Sequence, residues 1–554
     1  MRKTCTLLLT LVLCLCMTAT AFADAPAYLN VNSNGVDSPM VFEDQPQEIN
    51  VVIQQAATQG DADEIWLWKY FEEEHNIKVN VEQVADGAEY KNLALSTGDF
   101  PDIMINVGIT TADIVTYGQE EGMFLKIGEY IDEYMPNLKA IYDEHPEWKD
   151  AITAPDGHIY SLGGIADPED ETRNSGIHIH SKWMQELGVT EMPATLDEFI
   201  DLMRAFQKAH PEGIAFSGGY NAYNPCLILL TACGFVTSDA KGLSVGLRNG
   251  NVVFPYGDEE AYPVFLKAMS TLYSEGLMSH DFYTLTSTDV NGYVASGTAG
   301  IYTSAPWSAN PAVFMDWDSP KPLTSEVNDT LIWPANMGAL TCNRWTINAE
   351  TKYPELCCKL ADFFFNKTGL VLAFYGPMTT DEEYMYEGYT EGWYWDDEAN
   401  WIVYPEILND TEDRYGGMEN PYRQQRIMLF TGVQFGDYRT FFEDVAAYAE
   451  ADYQRVWSLD SLDFRHYATM VANQKPYYTE GYPNNVFFSA EVNERVVELK
   501  SVINAYVENE TAKFVTGATE LTEENLEKYF SGLKDLGYEE YLGYYVDYYA
   551  NFTA

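Results

Sequence analysis

Asn106 and Gly108 close the stretch "LALSTGDFPDIMINVG" (93–108), and both residue types suit a place beside a ligand. The amide carries two donors and an acceptor oxygen. Glycine lets a backbone come close to whatever lies next to it. The same pair also reads as a turn residue followed by a helix-entry glycine. His178 and His180 stand two apart in "IHIHS" and share one side of an extended segment. Two imidazoles can begin a zinc site. No cysteine or third histidine lies near them in sequence, so a satisfied strand face is the reading that fits. A carboxylate pair for acid and base chemistry cannot be singled out among 85 acidic residues. There is no phosphate-cradling lysine loop and no G-x-S-x-G elbow. "DWDSP" and "DDEAN" lack the glycine and terminal glutamate of a calcium loop. No cofactor and no metal are expected.

The elements that must hold these residues alternate. "EINVVIQ" (48–54) reads as a buried strand. Asp61 and Glu64 resemble a capping box, after which Ile65, Trp68 and Phe71 recur at helical spacing. "IKVNVEQV" alternates as a strand does. "AEYKNLALST" is a helix that Gly98 and Pro101 stop, and "PDIMINV" is the next strand. Thr111 is a plausible N-cap for the helix "TADIVTYGQEEG". Asp156-Gly157 is a tight turn, "HIYSL" a strand, and Gly163-Gly164 a hinge candidate. Ser181 reads as the N-cap of the helix that Gly188 ends. Thr195 and Glu198 form a capping box in front of the apolar stripe Leu196, Phe199, Ile200, Met203 and Phe206. "GIYTS" (300–304) is short enough to be a strand that crosses back to the first region. The alternation argues for parallel strands with helices on both faces. Asn106 and Gly108 would then lie at a carboxyl strand end, where ligands sit in open parallel sheets.

Bulk properties bound the function. The chain opens with Arg2 and Lys3, an apolar run and Ala21-Phe22-Ala23, the pattern of a secretory signal cut after Ala23. Leucine precedes both Cys14 and Cys16, which argues against lipidation there. A net charge of −53 repels nucleic acid and anionic membrane. Hydrophobic residues at 46% and aromatics at 14% rule out a disordered chain. Cys226, Cys233, Cys342, Cys357 and Cys358 remain after the signal. They form no disulfide framework. A Cys226–Cys233 bridge is open, with ordinary buried thiols the plainer reading.

Several ordered blocks resemble a known family. They are "FEEEHNIKVNVEQV", "LALSTGDFPDIMI", "YGQEEGMFLKIGEYIDEYMPNL", "PDGHIYSLGG" and "SKWMQELGVTEMPATLDEFIDLMRAF". "VASGTAGIY", "NRWTINAETKYPELCCKLADFFFNKTG", "EGYTEGWYW" and "FVTGATELTEENLEKYFSGLKDLGY" follow. In order and spacing they resemble the extracellular solute-binding proteins of the family 1, carbohydrate-uptake type, above all the long oligosaccharide-binding members. The resemblance implies an α/β, two-lobed, periplasmic-binding-protein-like fold. Each lobe is a mostly parallel sheet flanked by helices, with a ligand cleft between lobes that close by hinge bending. Crossings are expected near Gly163, near Ser304 and near Lys367 to Gly376. The implied organisation is a signal peptide at 1–23 and a linker at 24–47. Lobe 1 takes 48–162 plus 305–366, and lobe 2 takes 163–304 plus 367–554 with the C-terminal helices. Some long members carry an acidic calcium loop after the "TLDEF" helix. Here only "PEG" separates "FQKAH" from "IAFSGG", which removes those ligands.

What the resemblance implies about function is capture of an oligosaccharide, neutral by the charge argument, outside the cell. Partners are then the membrane permease subunits of an ABC importer, with no nucleic acid, and the protein is expected as a monomer. Sugar C–H faces stack on aromatic rings, and sugar hydroxyls need amide, carboxylate and phenol partners. The candidate platform residues are Trp66, Tyr220, Trp307, Trp345, Trp393 and Trp395, with Asn106 as the polar member. Each aromatic also has a core reading, and Trp68 faces the core. A secreted glycan-active enzyme and a binder of peptides or other solutes are the alternatives.

Overall fold

The computed structural model describes residues 47–54, 61–166, 176–304, 316–335, 340–365 and 472–552, with short stretches between 369 and 470. Strand β1 (Gln47–Gln54) lies between β2 (Ile77–Val84) and β3 (Ile103–Ile105), parallel to both. Helices Trp66–His75 and Gly87–Thr97 make the two crossovers. Ile49, Val51, Val52 and Ile53 are buried, whereas Glu48 is exposed, so β1 is an interior strand covered on both faces. Segment Trp345–Ile347 runs antiparallel beside β3, with Trp345 opposite Ile105, and β4 (Ser161–Leu162) completes the sheet. Gly98 (φ 72°) ends the second helix in the left-handed conformation, as its position before Pro101 requires.

Two large apolar cores divide the molecule. The first gathers residues between Ile49 and Ile165 and between Cys342 and Ala373. The second gathers residues between Ile177 and Trp333 and between Tyr482 and Tyr541. In the second lobe β6 (His178–His180) pairs antiparallel with Ile301–Tyr302 and with Trp317–Asp318. That ladder is antiparallel, while Trp333–Pro334 pairs parallel with Tyr478–Thr479 and Ile214 bridges Ala299 in parallel. Helix Ala490–Thr516 lays Val496, Leu499, Ile503, Val507 and Phe514 against that lobe. Tyr262 Oη and Thr511 Oγ1 share a hydrogen bond of 2.6 Å at the seam.

The connections depart from the sequence reading. Ile301 and Tyr302 are both fully buried, so "GIYTS" is an inner strand of the second lobe and not a crossing. Residues 316–335, expected in lobe 1, pack with the second lobe: Leu323, Ile332 and Trp333 lie in the second core, and Trp317 in a satellite cluster with Tyr302. Leu340, the next described residue after Ala335, packs against the first core. At the first expected crossing, β5 (Gly164–Ala166) bridges Leu340 and pairs parallel with Gly432–Gln434. Leu372 and Ala373, near the third expected crossing, pack in the first core.

Capping follows the sequence unevenly. Thr195 and Glu198 form the reciprocal box. Asp61 instead opens a short 3₁₀ turn without a side-chain cap, and the helix begins at Trp66. Thr110, not Thr111, caps the next helix. Ser181 is the first helical residue rather than the cap. The five cysteines described are free and buried, Cys226 and Cys233 included. Burial pushes the Cys233 thiol up to about 12.

Candidate functional site

The carboxyl ends of β1, β2 and β3 share one edge of the first sheet. Because Trp345–Ile347 runs the other way, its leading residue Arg344 lies at that same edge. The Asn106 N–H donates to the Arg344 carbonyl at 2.8 Å, and the Arg344 N–H donates to the Leu162 carbonyl at 2.9 Å. Asn106 holds φ 58° and Gly108 φ 77°. Asparagine tolerates the left-handed region better than other residues with a Cβ, so it can turn the chain there and still offer an amide. A Cβ on Gly87 would stand 2.7 Å from the Val107 backbone, so the helix after β2 is pressed against this loop.

Behind the loop sits a buried ion pair. Lys91 Nζ donates to Asp113 Oδ2 at 2.7 Å and to the Gly108 carbonyl at 3.1 Å. Asp113 Oδ2 also accepts from the N–H and the hydroxyl of Thr110. One ammonium therefore fixes both the Gly108 carbonyl and the cap of the following helix. Arg344 is half-buried, and desolvation lowers its pKa. Sequence reading found neither Arg344 nor the Lys91–Asp113 pair. The polar doublet "NR" ahead of the strand "WTI" was the available signal for the first.

The expected platform residues separate. Trp345 is buried under the sheet against Phe364. Trp66 is wholly buried, stacked on Tyr70 (5.3 Å between centroids) and on Tyr386 (6.1 Å). Both residues, expected as platforms, are buried in the first core. Tyr220 lies on the second lobe, half-buried, with its hydroxyl donating to Glu508 Oε1 at 2.7 Å. Lys241 Nζ sits 4.9 Å over its ring. Burial raises the Tyr220 phenol pKa, and the hydrogen bond to Glu508 adds to the rise. Trp307 and Trp393 fall outside the described residues. Trp395 lies on strand Tyr394–Asp396, opposite Ile402, and its side chain is also outside them. Asn106 is thus the expected polar residue that stands at the sheet edge.

His178 and His180 are buried. The His180 ring stacks on Trp183 (4.9 Å, 11°) and meets Trp317 at 4.7 Å. Burial pushes its imidazole down to about 3. It is a core residue between two indoles, and among the described residues no three His, Cys, Asp or Glu side chains gather to hold a metal.

Gly163 and Gly164 follow β4 at the sheet edge, just ahead of Ile165, which packs in the first core. A Cβ on Gly163 would lie 2.3 Å from the Thr341 carbonyl oxygen. The Gly164 N–H donates to Thr341 Oγ1 and the Thr341 N–H to the Gly164 carbonyl. Two segments therefore touch through glycine. A third segment meets them: Asn485 Nδ2 donates to the carbonyls of Ala151 and Leu340, and the Tyr548 hydroxyl donates to the Asn485 carbonyl.

Two lobes, a polar sheet edge and a narrow hinge are the parts of a protein that closes on a solute. The family model for bacterial extracellular solute-binding proteins matches residues 51–369, more than half of the chain. This protein belongs to that family. It is 26% identical over 498 residues to the fructooligosaccharide ABC transporter substrate-binding protein FusA of Streptococcus pneumoniae, across 85% of this chain and 84% of that one. Lipoprotein LipO of Bacillus subtilis is 25% identical over 227 residues, 38% of this chain and 40% of LipO. The structure of FusA with kestose superposes with a TM-score of 0.68 at 22% identity, covering 92% of this chain and 99% of that one. An "HMO binding" ABC-transporter-associated solute-binding protein of Bifidobacterium longum infantis gives 0.71 at 18% identity, with the same coverage. The two-lobed fold is shared with both.

Proposed function

We propose that this solute-binding protein is the extracellular substrate-binding component of an ABC importer that captures an oligosaccharide between its lobes and delivers it to membrane permease subunits. The observation that carries the reading is the similarity to FusA, which runs through both lobes and not through one domain alone. Asn106 supports it with a neutral amide at the sheet edge. The charge of −53 favours an uncharged ligand. Asn106, Tyr220, Trp307, Trp393 and Trp395 remain the proposed contact residues. The protein acts as a monomer, performs no catalysis itself, and reaches the outer face of the membrane after cleavage at Ala23.

Isothermal titration with kestose, nystose and a uronic-acid trimer, followed by chromatography of the mixtures, tests this. The expected result is saturable binding of the neutral sugars with every sugar recovered intact. Binding confined to the uronic acid defeats the neutral assignment, and hydrolysed product defeats the transport reading.

A further inference from the structure

The segment Tyr482–Phe488 touches both lobes. Asn485 Nδ2 donates to the carbonyls of Ala151 and Leu340, and the Cys342 thiol lies 3.4 Å from Asn485 Oδ1, so this side chain is committed to the first lobe. Phe487 packs in the first core and Phe488 in the second. The last helix, Tyr538–Phe552, holds the segment from the second lobe. We propose that this helix is a brace on the hinge: its tyrosines grip Tyr482–Phe488, and the grip narrows the range of lobe dispositions open to the ligand-free protein. The proposal depends on the two lobes alone and stands apart from the solute they capture.

The grip is built from one stripe of side chains. Tyr541, Tyr545 and Tyr548 recur at spacings of four and three and share a face of the helix. Tyr541 is fully buried in the second core, which fixes its end of the helix to that lobe. One turn further on, the helix reaches the segment. The Tyr482 hydroxyl donates to the Tyr545 carbonyl at 2.8 Å, and the Tyr482 ring stacks on Tyr549 at 5.5 Å and 28°. Phe488 meets the Tyr545 ring edge to face at 5.2 Å and the Tyr548 ring at 5.7 Å. The Tyr548 hydroxyl then donates to the Asn485 carbonyl at 2.8 Å. Tyrosine suits this task because its ring packs while its hydroxyl reaches a main-chain group. Asn485 thus carries the first lobe on its side chain and the last helix on its main chain. Rotation of one lobe against the other must stretch these bonds or drag the helix, and packed elements have few alternative arrangements.

The test measures the distance between the lobes without ligand. Spin labels go on Leu93→Cys, 65% exposed on a first-lobe helix, and on Lys267→Cys, whose side chain is 69% exposed on helix Tyr262–Ser274 of the second lobe. The cysteines at 226, 233, 342, 357 and 358 are buried, which directs the label to the two new ones in the mature chain. Pulsed electron-spin resonance then gives the distribution of distances in the labelled protein, in Tyr548→Phe, in Tyr482→Phe and in the pair combined. Each change removes a hydroxyl and keeps its ring. Tyr544→Phe is the control, because the Tyr544 hydroxyl bonds Glu540 within the helix and not the segment. The expected result is a broader distribution in each single variant and the broadest in the pair, with melting temperatures within about 4 °C of the parent and no broadening in Tyr544→Phe. Unchanged distributions in both single variants, even with lower melting temperatures, reduce the tyrosines to packing and overturn the brace. Equal broadening in Tyr544→Phe also overturns it, since the effect would then come from the helix at large and not from its hold on the segment.

Discussion

Lys91 carries more structure than its place in the sequence suggests. Its ammonium is buried, and it joins the Gly108 carbonyl to the carboxylate that caps the next helix. Replacing it by methionine leaves Asp113 as a largely buried anion whose remaining described partners are the N–H and the hydroxyl of Thr110. Breaking one side of such a pair costs about 3 kcal/mol or more. Lys91→Met should therefore lower stability by about that amount in urea denaturation, and Lys91→Met/Asp113→Asn should regain part of it. Because the same ammonium anchors the loop that presents Asn106, affinity should fall in the single variant as well. Wild-type stability in Lys91→Met would show that the pair adds nothing. His180 makes the second residue-scale case. Its pKa is near 6.5 unfolded and about 3 folded, with burial first and the His210 and Lys182 charges next as causes. Between those values the unfolded chain binds a proton that the native state does not. This group's contribution is therefore full above pH 6.5 and declines as pH falls towards 3, by a little over about 1 kcal/mol per unit at most. His180→Phe should flatten the stability profile over that window relative to wild type. Parallel profiles would place the titrating group elsewhere. The sequence could locate Asn106 because Gly98, Pro101 and the run after them mark a helix end and a strand in one short stretch. It could not locate Trp66 or Trp345, because what covers them comes from afar: Tyr386 lies on the far side of the chain from Trp66 in sequence, and helical facing says nothing about a second layer.

At the scale of elements, periodicity was readable, capping only in part, and connections were not. The stripe from Leu196 to Phe206 with its Thr195 box stands where spacing put it. The strand "GIYTS" was assigned to the wrong task because a two-residue strand has the same sequence signature whether it bridges lobes or lies inside one. Only its partner, His178–His180, distinguishes the two. Gly163, flagged by sequence as a hinge candidate, has a physical reason to be glycine in the close approach of Thr341. The Thr341 oxygen that a Cβ would meet belongs to the backbone of the neighbouring segment, so it cannot swing away. Gly163→Ala should force the two strands apart, lowering stability by about 1–3 kcal/mol. It should also weaken ligand binding, since the lobes must pivot about the same contact. Gly157→Ala serves as the comparison. That glycine has open space around it but sits at φ 84°, so its cost is local backbone strain and its effect on affinity should be nil. Equal affinity in the two variants would remove Gly163 from the hinge.

On the scale of the whole molecule, the two cores are built from different parts of the chain and share few residues. Phe487 is the exception, packing in the first core while Phe488 beside it packs in the second. Asn485 ties this short segment to Leu340 and, through Tyr548, to the last helix. The lobes are thus tied together through this short segment. Each lobe then has its own reason to be folded, and the ligand is what couples them. Without ligand, calorimetry should resolve two overlapping unfolding components, one for each core. A ligand that touches both lobes binds only when both are folded, so its binding free energy is lost as soon as either one melts. At a hundredfold excess over Kd it stabilises by about 2.7 kcal/mol, and that increment should draw the two components into one transition at higher temperature. A sugar that raised one component and left the other in place would be bound on a single lobe. That outcome would refute capture in the cleft between them, whatever the affinity.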